Sequence, residues 1–183
     1  VPPSFSTLQR RRVSRYHLPH QVRAACSFEG EVKDAIVALK YRNKRRLAVQ
    51  LAEVLVGALI EEFGDRVNLA DTFDMVTWAP TTGEHRRRRG MDHAELIARH
   101  AGRLLDVPVR PLLRRRGVVT QTGRSRSERL SGPTFVAHPA AEGARILVID
   151  DVTTTGSTLR AARRAFRSVG ADLVECWAVA ATP

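Results

Sequence analysis

One stretch limits what this chain can fold into. Ile146-Leu147-Val148-Ile149 is followed by Asp150-Asp151-Val152, then by Thr153-Thr154-Thr155-Gly156-Ser157-Thr158, then by Leu159-Arg-Ala-Ala-Arg-Arg-Ala-Phe166. The aliphatic run is short, β-branched and free of alternation, the pattern of a strand buried on both faces. Two carboxylates follow at its expected end. A hydroxyl-rich turn around one glycine then leads into a segment of helical apolar spacing. Strand, small-residue turn and helix N-terminus together form an anion site, because unpaired N–H groups and the helix dipole face the turn. Acidic groups beside such a site suit sugar hydroxyls or a divalent cation, which prefers oxygen ligands. Capping by Ser157 or Thr158 accounts for one hydroxyl. It accounts for neither the other four nor the adjacent Asp150 and Asp151, which repel each other unless something compensates them.

The whole chain is compatible with one domain built on that unit. Its 183 residues are enough for a single sizeable core. No apolar run reaches the length of a membrane span and no signal peptide is visible, so a cytoplasmic, membrane-free protein is expected. Cys26 and Cys176 form no CxxC pair, which supports neither a metal ribbon nor a disulfide framework. The net charge of +11 is concentrated: residues 84–129 carry 13 Lys/Arg against 5 Asp/Glu, whereas residues 130–183 balance at 5 against 5. A basic segment of this kind suits nucleic acid or a substrate with several phosphate charges.

Residues 1–27, with Pro2, Pro3, Pro19 and Arg10-Arg-Arg12, read as an extended, partly ordered arm, and residues 28–183 as the domain. Pro19 between His17 and His20 argues against a helical metal pair. Val32, Ala35, Ile36 and Leu39 recur at helical spacing and end near Lys40-Tyr41. Leu47, Leu51, Leu55, Leu59 and Phe63 step by four, with Gly64 just past the last turn. Phe73 to Pro80 predicts a strand ending in the loop Pro80-Thr81-Thr82-Gly83, and Asp92 to Leu105 a helix with Leu96, Ile97, His100, Ala101 and Leu104 on one face. A short strand through Val107 and Val109 is expected next. Residues of about 114–134, rich in Gly, Ser, Thr and Arg, read as a lid, with Phe135-Val136 re-entering the body. A helix over 157–168, Gly170, and a strand from Asp172 to Ala180 complete the chain. Such alternation implies a parallel sheet covered by helices, hence an α/β fold. Parallel sheets bind ligands at the carboxyl ends of their strands, so the loops at Pro80 and Asp150 are expected to face one crevice. Of Arg86 to Arg89, Arg89 beside Gly90 is the one expected to reach it.

The opening stretch resembles the phosphoribosyl pyrophosphate (PRPP) loop of the type I phosphoribosyltransferases. Ala79-Pro80 with a basic stretch, Arg89-Gly90-Met91-Asp92-His93-Ala94, Ile36-Val-Ala-Leu-Lys40-Tyr41, and the segment from Leu113-Arg114 through Thr120-Gln121 and Arg124–Arg129 to Phe135 resemble the ComF (competence protein F-like) branch. The resemblance covers about residues 28–181. Met91, Asp92 and His93 stand where the branch has Phe, Asn and Gln, and Thr81-Thr82-Gly83 where it commonly has Pro-Leu-His. The four-cysteine ribbon of many members is not among these residues.

The resemblance implies a type I phosphoribosyltransferase-like fold, with a central, mainly parallel sheet, a small hood and a flexible lid. It also implies a reaction in which an acceptor, usually a nitrogen, displaces pyrophosphate from C1 of PRPP with Mg²⁺ as cofactor. Asp150 and Asp151 would hold the ribose and carry the catalytic role. Thr153, Thr154, Thr155, Gly156, Ser157 and Thr158 would wrap the 5-phosphate. Pro80, Thr81, Thr82, Gly83 and Arg89 would take the pyrophosphate, and Arg114, Gln121, Arg124 and Arg129 would act from the lid. Mg²⁺ would be held through PRPP and through Asp150 and Asp151. The acceptor is not named by any motif, and a homo-oligomer is compatible with the chain. The alternative is a non-catalytic PRPP sensor, or a nucleic-acid-associated module of the competence machinery acting through residues 84–129. A P-loop NTPase is excluded, because no GxxxxGK[ST] stretch occurs.

Overall fold

A strand buried on both faces needs a layer on each side, and residues 146–149 divide between two layers in alternation. Leu147 and Ile149 enter one apolar cluster and Ile146 and Val148 the other, all fully buried. The computed structural model describes residues 16–18, 22–64, 68–81, 91–116 and 133–182. Strands β1 (Tyr16–Leu18), β2 (Val22–Ser27), β3 (Met75–Trp78), β6 (Arg145–Thr153) and β7 (Leu173–Ala181) form a sheet of order β1-β2-β7-β6-β3. β2, β7, β6 and β3 run parallel, and β1 is antiparallel on the edge of β2. β4 (Leu113–Arg115) and β5 (Phe135–Ala137) form a separate antiparallel pair.

One face of the sheet is covered by α1 (Gly30–Tyr41), α2 (Leu47–Phe63) and α4 (His93–Leu105). The other is covered by α5 (Ser157–Ser168) and the β4–β5 pair. A single turn, α3 (Leu69–Thr72), leads into β3. Leu51, Leu55 and Leu59 of α2 are fully buried, and Gly64, at φ +84, ends the helix in a conformation that costs glycine little. In α5 the buried Leu159, Ala161, Ala162, Ala165 and Phe166 form one stripe, with Arg160, Arg163, Arg164 and Arg167 on the other side. The small alanines let the helix approach the sheet closely.

Several expectations are corrected. Residues 22–27 are not an arm: they form β2, inside the sheet and paired with β7 from Val22↔Cys176 to Ser27↔Ala181. Arg23 had masked the strand pattern, yet its charge is met by ion pairs with Glu175 and Glu62. β6 does not stop at Ile149 but continues through Asp150 and Asp151 to Thr153, held by β7 at Thr153↔Ala181. Val107 to Val109 make one parallel bridge, Val76↔Val109, rather than a strand. The buried face of α4 is Ala94, Ile97, Ala98, Ala101 and Leu105, while Leu104 is 51% exposed. The lid expected from residue 114 begins too early, because 113–115 are paired strand and Arg116 N–H donates to Thr134 O at 2.9 Å. Residues 117–132 lie outside the described residues.

Candidate functional site

The chain leaves β3 and β6 in opposite directions. From β3 it passes through α4 on one face and returns at Val109, on the side of β3 away from β6. From β6 it passes through α5 on the other face to β7. A crevice opens where such connections diverge, beyond the carboxyl ends of the strands. β3 ends at Trp78, opposite Ile149, and Ala79 N–H donates to Ile149 O at 3.0 Å. Asp150 and Asp151 are therefore the first residues of β6 beyond the end of its neighbour. The Pro80-Thr81 segment departs at the same level.

Successive strand residues point to opposite faces, so Asp150 continues the row of Ile146 and Val148, and Asp151 that of Leu147 and Ile149. Each carboxylate fixes one oxygen on the backbone. Asp151 N–H donates to Asp150 Oδ1 at 2.9 Å, and Val152 N–H donates to Asp151 Oδ1 at 2.6 Å. Among the described residues neither Oδ2 has a hydrogen-bond partner. Lys40, in the last turn of α1, donates from Nζ to Asp151 Oδ1 at 2.8 Å. Burial first, then the neighbouring Asp151, pushes the Asp150 carboxyl well above its usual range; Asp92 adds to this, while the Asp151 N–H and Lys40 oppose it. A carboxylate in that condition has a standing reason to take hydroxyl donors, a proton or a cation.

Asp92 is the third acid. It is 5% exposed, sits at the N-terminus of α4, and accepts from Thr81 N–H at 2.8 Å through Oδ2. Its carboxyl is pushed up by burial first; the Thr81 N–H opposes this, and Asp151 adds to the rise. Standing at the N-cap of α4, it fastens the β3 loop to that helix.

The turn after β6 divides into structural and open hydroxyls. Thr153 is 5% exposed, and its Oγ1 accepts from Gly156 N–H at 3.1 Å, so this threonine shapes the turn rather than facing a ligand. Thr155 Oγ1 accepts from Ser157 N–H at 3.4 Å, and the Arg160 guanidinium donates to Thr155 O. Gly156, at φ +74, occupies the cap position of α5 without any side-chain cap, so neither Ser157 nor Thr158 is a capping residue. The hydroxyls of Thr154, Ser157 and Thr158 have no partner among the described residues. They sit around the start of a three-turn helix, where phosphate oxygens find donors.

Pro80 and Thr81 are partly exposed at the crevice. Thr82, Gly83 and Arg89 of the same loop lie outside the described residues, as do Gln121, Arg124 and Arg129. Arg114 is exposed; its neighbour Arg115, on the opposite face of β4, is half-buried beside the Phe135 ring and close enough to Asp150 to sense its charge. Sequence reasoning also missed Lys40 and Arg160. Lys40 was visible as the lysine of Leu39-Lys40-Tyr41, without a role attached.

A hard cation fits part of this arrangement. Two carboxylates at the strand end offer oxygen donors, the chemistry Mg²⁺ requires. Among the described residues no group of three or more His, Cys, Asp or Glu is placed to hold a metal, so such an ion would draw further oxygens from a bound ligand. No described helix is long and apolar enough to cross a membrane.

The strand, the acid pair and the hydroxyl-rich turn into a helix thus meet at the switch point of a parallel α/β sheet. Residues 88–183, just over half the chain, match the phosphoribosyl transferase domain family, and the chain belongs to it. Competence protein F of Haemophilus influenzae is 30% identical over 100 residues, covering 51% of this chain and 44% of that protein. The aligned region thus spans less than half the length of this relative. Among solved structures, the B. subtilis glutamine PRPP amidotransferase is similar at TM-score 0.44 and 23% identity, over 61% of this chain and 24% of that one. Purine phosphoribosyltransferase from Pyrococcus horikoshii is similar at TM-score 0.44 and 15% identity, over 72% and 83%. Hypoxanthine phosphoribosyltransferase from Trypanosoma cruzi is similar at TM-score 0.45 and 12% identity, over 76% and 75%.

Proposed function

We propose that this protein binds PRPP with Mg²⁺ and transfers its phosphoribosyl group to a nitrogen acceptor, releasing pyrophosphate. One observation carries the reading: Asp150 and Asp151 each anchor one oxygen on the following backbone N–H and keep the other without a partner among the described residues, directly ahead of the hydroxyl-rich start of α5. The free oxygens accept the ribose 2- and 3-hydroxyls. Thr154, Thr155, Ser157 and Thr158, with the first N–H groups of α5, take the 5-phosphate. Pro80 to Gly83 and Arg89 take the pyrophosphate, with Asp92 holding that loop at Thr81. Arg124 or Arg129 adds positive charge to the diphosphate, together with Arg115.

In the reaction the acceptor nitrogen attacks C1 as the bond from C1 to the pyrophosphate oxygen breaks. The electron pair of that bond leaves with pyrophosphate, and the acceptor loses its proton to solvent. Positive charge develops on the ribose and negative charge on the leaving group. The protein acts by positioning, by matching those charges and by excluding water, without a covalent nucleophile. Mg²⁺, when bound, neutralises the diphosphate.

Calorimetry with Mg²⁺–PRPP tests this, on the chain and on Asp150→Asn with Asp151→Asn. Each charge-assisted hydrogen bond lost to a hydroxyl costs about 1.5–3 kcal/mol, so the double variant should lose binding by on the order of a hundredfold or more. No heat from the unmutated protein would remove the ligand assignment. Binding without pyrophosphate release, across nitrogen acceptors, would favour a PRPP sensor over an enzyme.

A second reading, association with nucleic acid, is favoured by α5. Its outer face carries Arg160, Arg163, Arg164 and Arg167, and the helix contains no acidic residue. Nucleic acid bound through several arginines weakens steeply with salt, whereas a Mg²⁺–PRPP site is less sensitive, so the salt dependence of each separates the two.

A further inference from the structure

We propose that Lys40 is a positioning residue, one that makes Asp151 an acceptor for hydroxyls and withholds it from a bare divalent cation. This rests on the reading of Asp151 as a ribose-binding acid.

The argument starts from α1. Val32, Ala35, Ile36 and Leu39 are buried against the sheet and α2, which fixes where the last turn of the helix ends. Lys40 follows in that turn. Its stem bridges from the helix layer to Asp151, the β6 residue next above Ile149 on the same face. Both partners are largely screened from water, with side-chain exposures of 20% and 13%. The contact links residues 111 apart in sequence, so it joins two elements rather than decorating one.

The two oxygens of Asp151 are unequally engaged. Oδ1 accepts from Lys40 Nζ at 2.8 Å and from Val152 N–H at 2.6 Å. Oδ2 has no partner among the described residues. A cation that seeks both oxygens of a carboxylate finds one taken by two donors. A cation at Oδ2 alone lies within a few ångströms of an ammonium group in a partly dry site, where like charges repel strongly. A hydroxyl is neutral, needs one acceptor and meets no such repulsion. Lys40 also acts on Asp150, whose carboxylate it stabilises. The pair is thereby biased toward a sugar. A divalent ion is then favoured only when it arrives already neutralised by the oxygens of a diphosphate.

The test is Mn²⁺ binding without PRPP, followed by electron paramagnetic resonance, on the unmutated chain, Lys40→Met, Lys40→Arg and Lys40→Met with Asp151→Asn. Thermal melts verify that each is folded. Lys40→Gln supplies the charge-free variant where methionine disturbs packing. Removing the cation should tighten Mn²⁺ binding about tenfold or more, given the close unscreened approach. Lys40→Arg should behave as the unmutated chain, and the added Asp151→Asn should abolish the gain. Equal Mn²⁺ binding in both charge-free variants and the unmutated chain would overturn the proposal, as would a gain that survives Asp151→Asn. Calorimetry with Mg²⁺–PRPP on the unmutated chain decides the ribose reading separately. An absence of heat there removes that reading, while the Mn²⁺ series still decides whether Lys40 withholds Asp151.

Discussion

Asp92 does two opposing things, and two substitutions separate them. Its carboxylate holds the β3 loop by accepting from Thr81 N–H at 2.8 Å, and it does so while almost fully buried and within the field of Asp151. Asp92→Asn keeps an acceptor oxygen in place and removes the charge. Asp92→Ala removes both and leaves the Thr81 N–H without its acceptor. That loss costs about 1–3 kcal/mol. For a domain of this size 1 kcal/mol corresponds to about 2–4 °C, so Asp92→Ala should melt about 4–8 °C below the unmutated chain for a loss in the middle of that range. Asp92→Asn should melt at or above it at pH 7–8.

The pH dependence follows from the direction of the shift. Burial raises the folded-state pKa of Asp92 above its unfolded value of 3.8, so between the two values the folded state holds more proton than the unfolded chain. Stability contributed by this group is therefore lost as pH rises from 3.8 through the raised pKa, and the full penalty is present above it. The advantage of Asp92→Asn should accordingly shrink toward zero as pH falls to about 4. Differential scanning calorimetry in the absence of divalent cations, at a series of pH values, measures this directly. If Asp92→Asn melts as low as Asp92→Ala at neutral pH, the charge itself is stabilising and the reasoning fails.

Three further outcomes are expected. Gly102→Ala should destabilise by about 1–3 kcal/mol in a thermal or urea melt, because a Cβ there would lie 2.2 Å from Val109 Cγ2 and 2.8 Å from Val107 O, pushing apart the only bridge beyond β3 among the described residues. Gly156→Ala should lower stability by about 1 kcal/mol and weaken PRPP binding in the same calorimetric assay, because the residue holds φ +74 and a Cβ would meet the Arg160 guanidinium at 2.9 Å. Burial pushes the Cys26 thiol up to about 11 and that of Cys176 up to about 12, so neither is a thiolate at pH 8. Iodoacetamide should label both slowly in the folded protein and rapidly in denaturant; fast labelling of the native chain would contradict the packing around β2 and β7.

Features governed by neighbours in sequence could be read from the residues, while those governed by distant charges could not. The helix over 157–168 and the end of α2 at Gly64 were legible because periodicity and a left-handed glycine are local signals. The acid pair and its turn were legible for the same reason. β2 was missed because Arg23 breaks an apolar run, and nothing nearby shows that Glu175, 152 residues on, meets its charge. Lys40 and Asp92 follow the same logic. Each stands in an ordinary place for its type, a basic residue in the last turn of a helix and an acid at the start of one, where the helix dipole alone explains it. Only the sheet brings Lys40 to Asp151 and Thr81 to Asp92, and in both cases the contact redirects a charge from its helix to the site. Such dual placement hides residues from pattern reading: the local explanation is sufficient, so nothing prompts a second. The signal that remains is surplus. Three acids gather at one strand end, more negative charge than helix ends explain, and Lys40 is where the fold brings a cation to them.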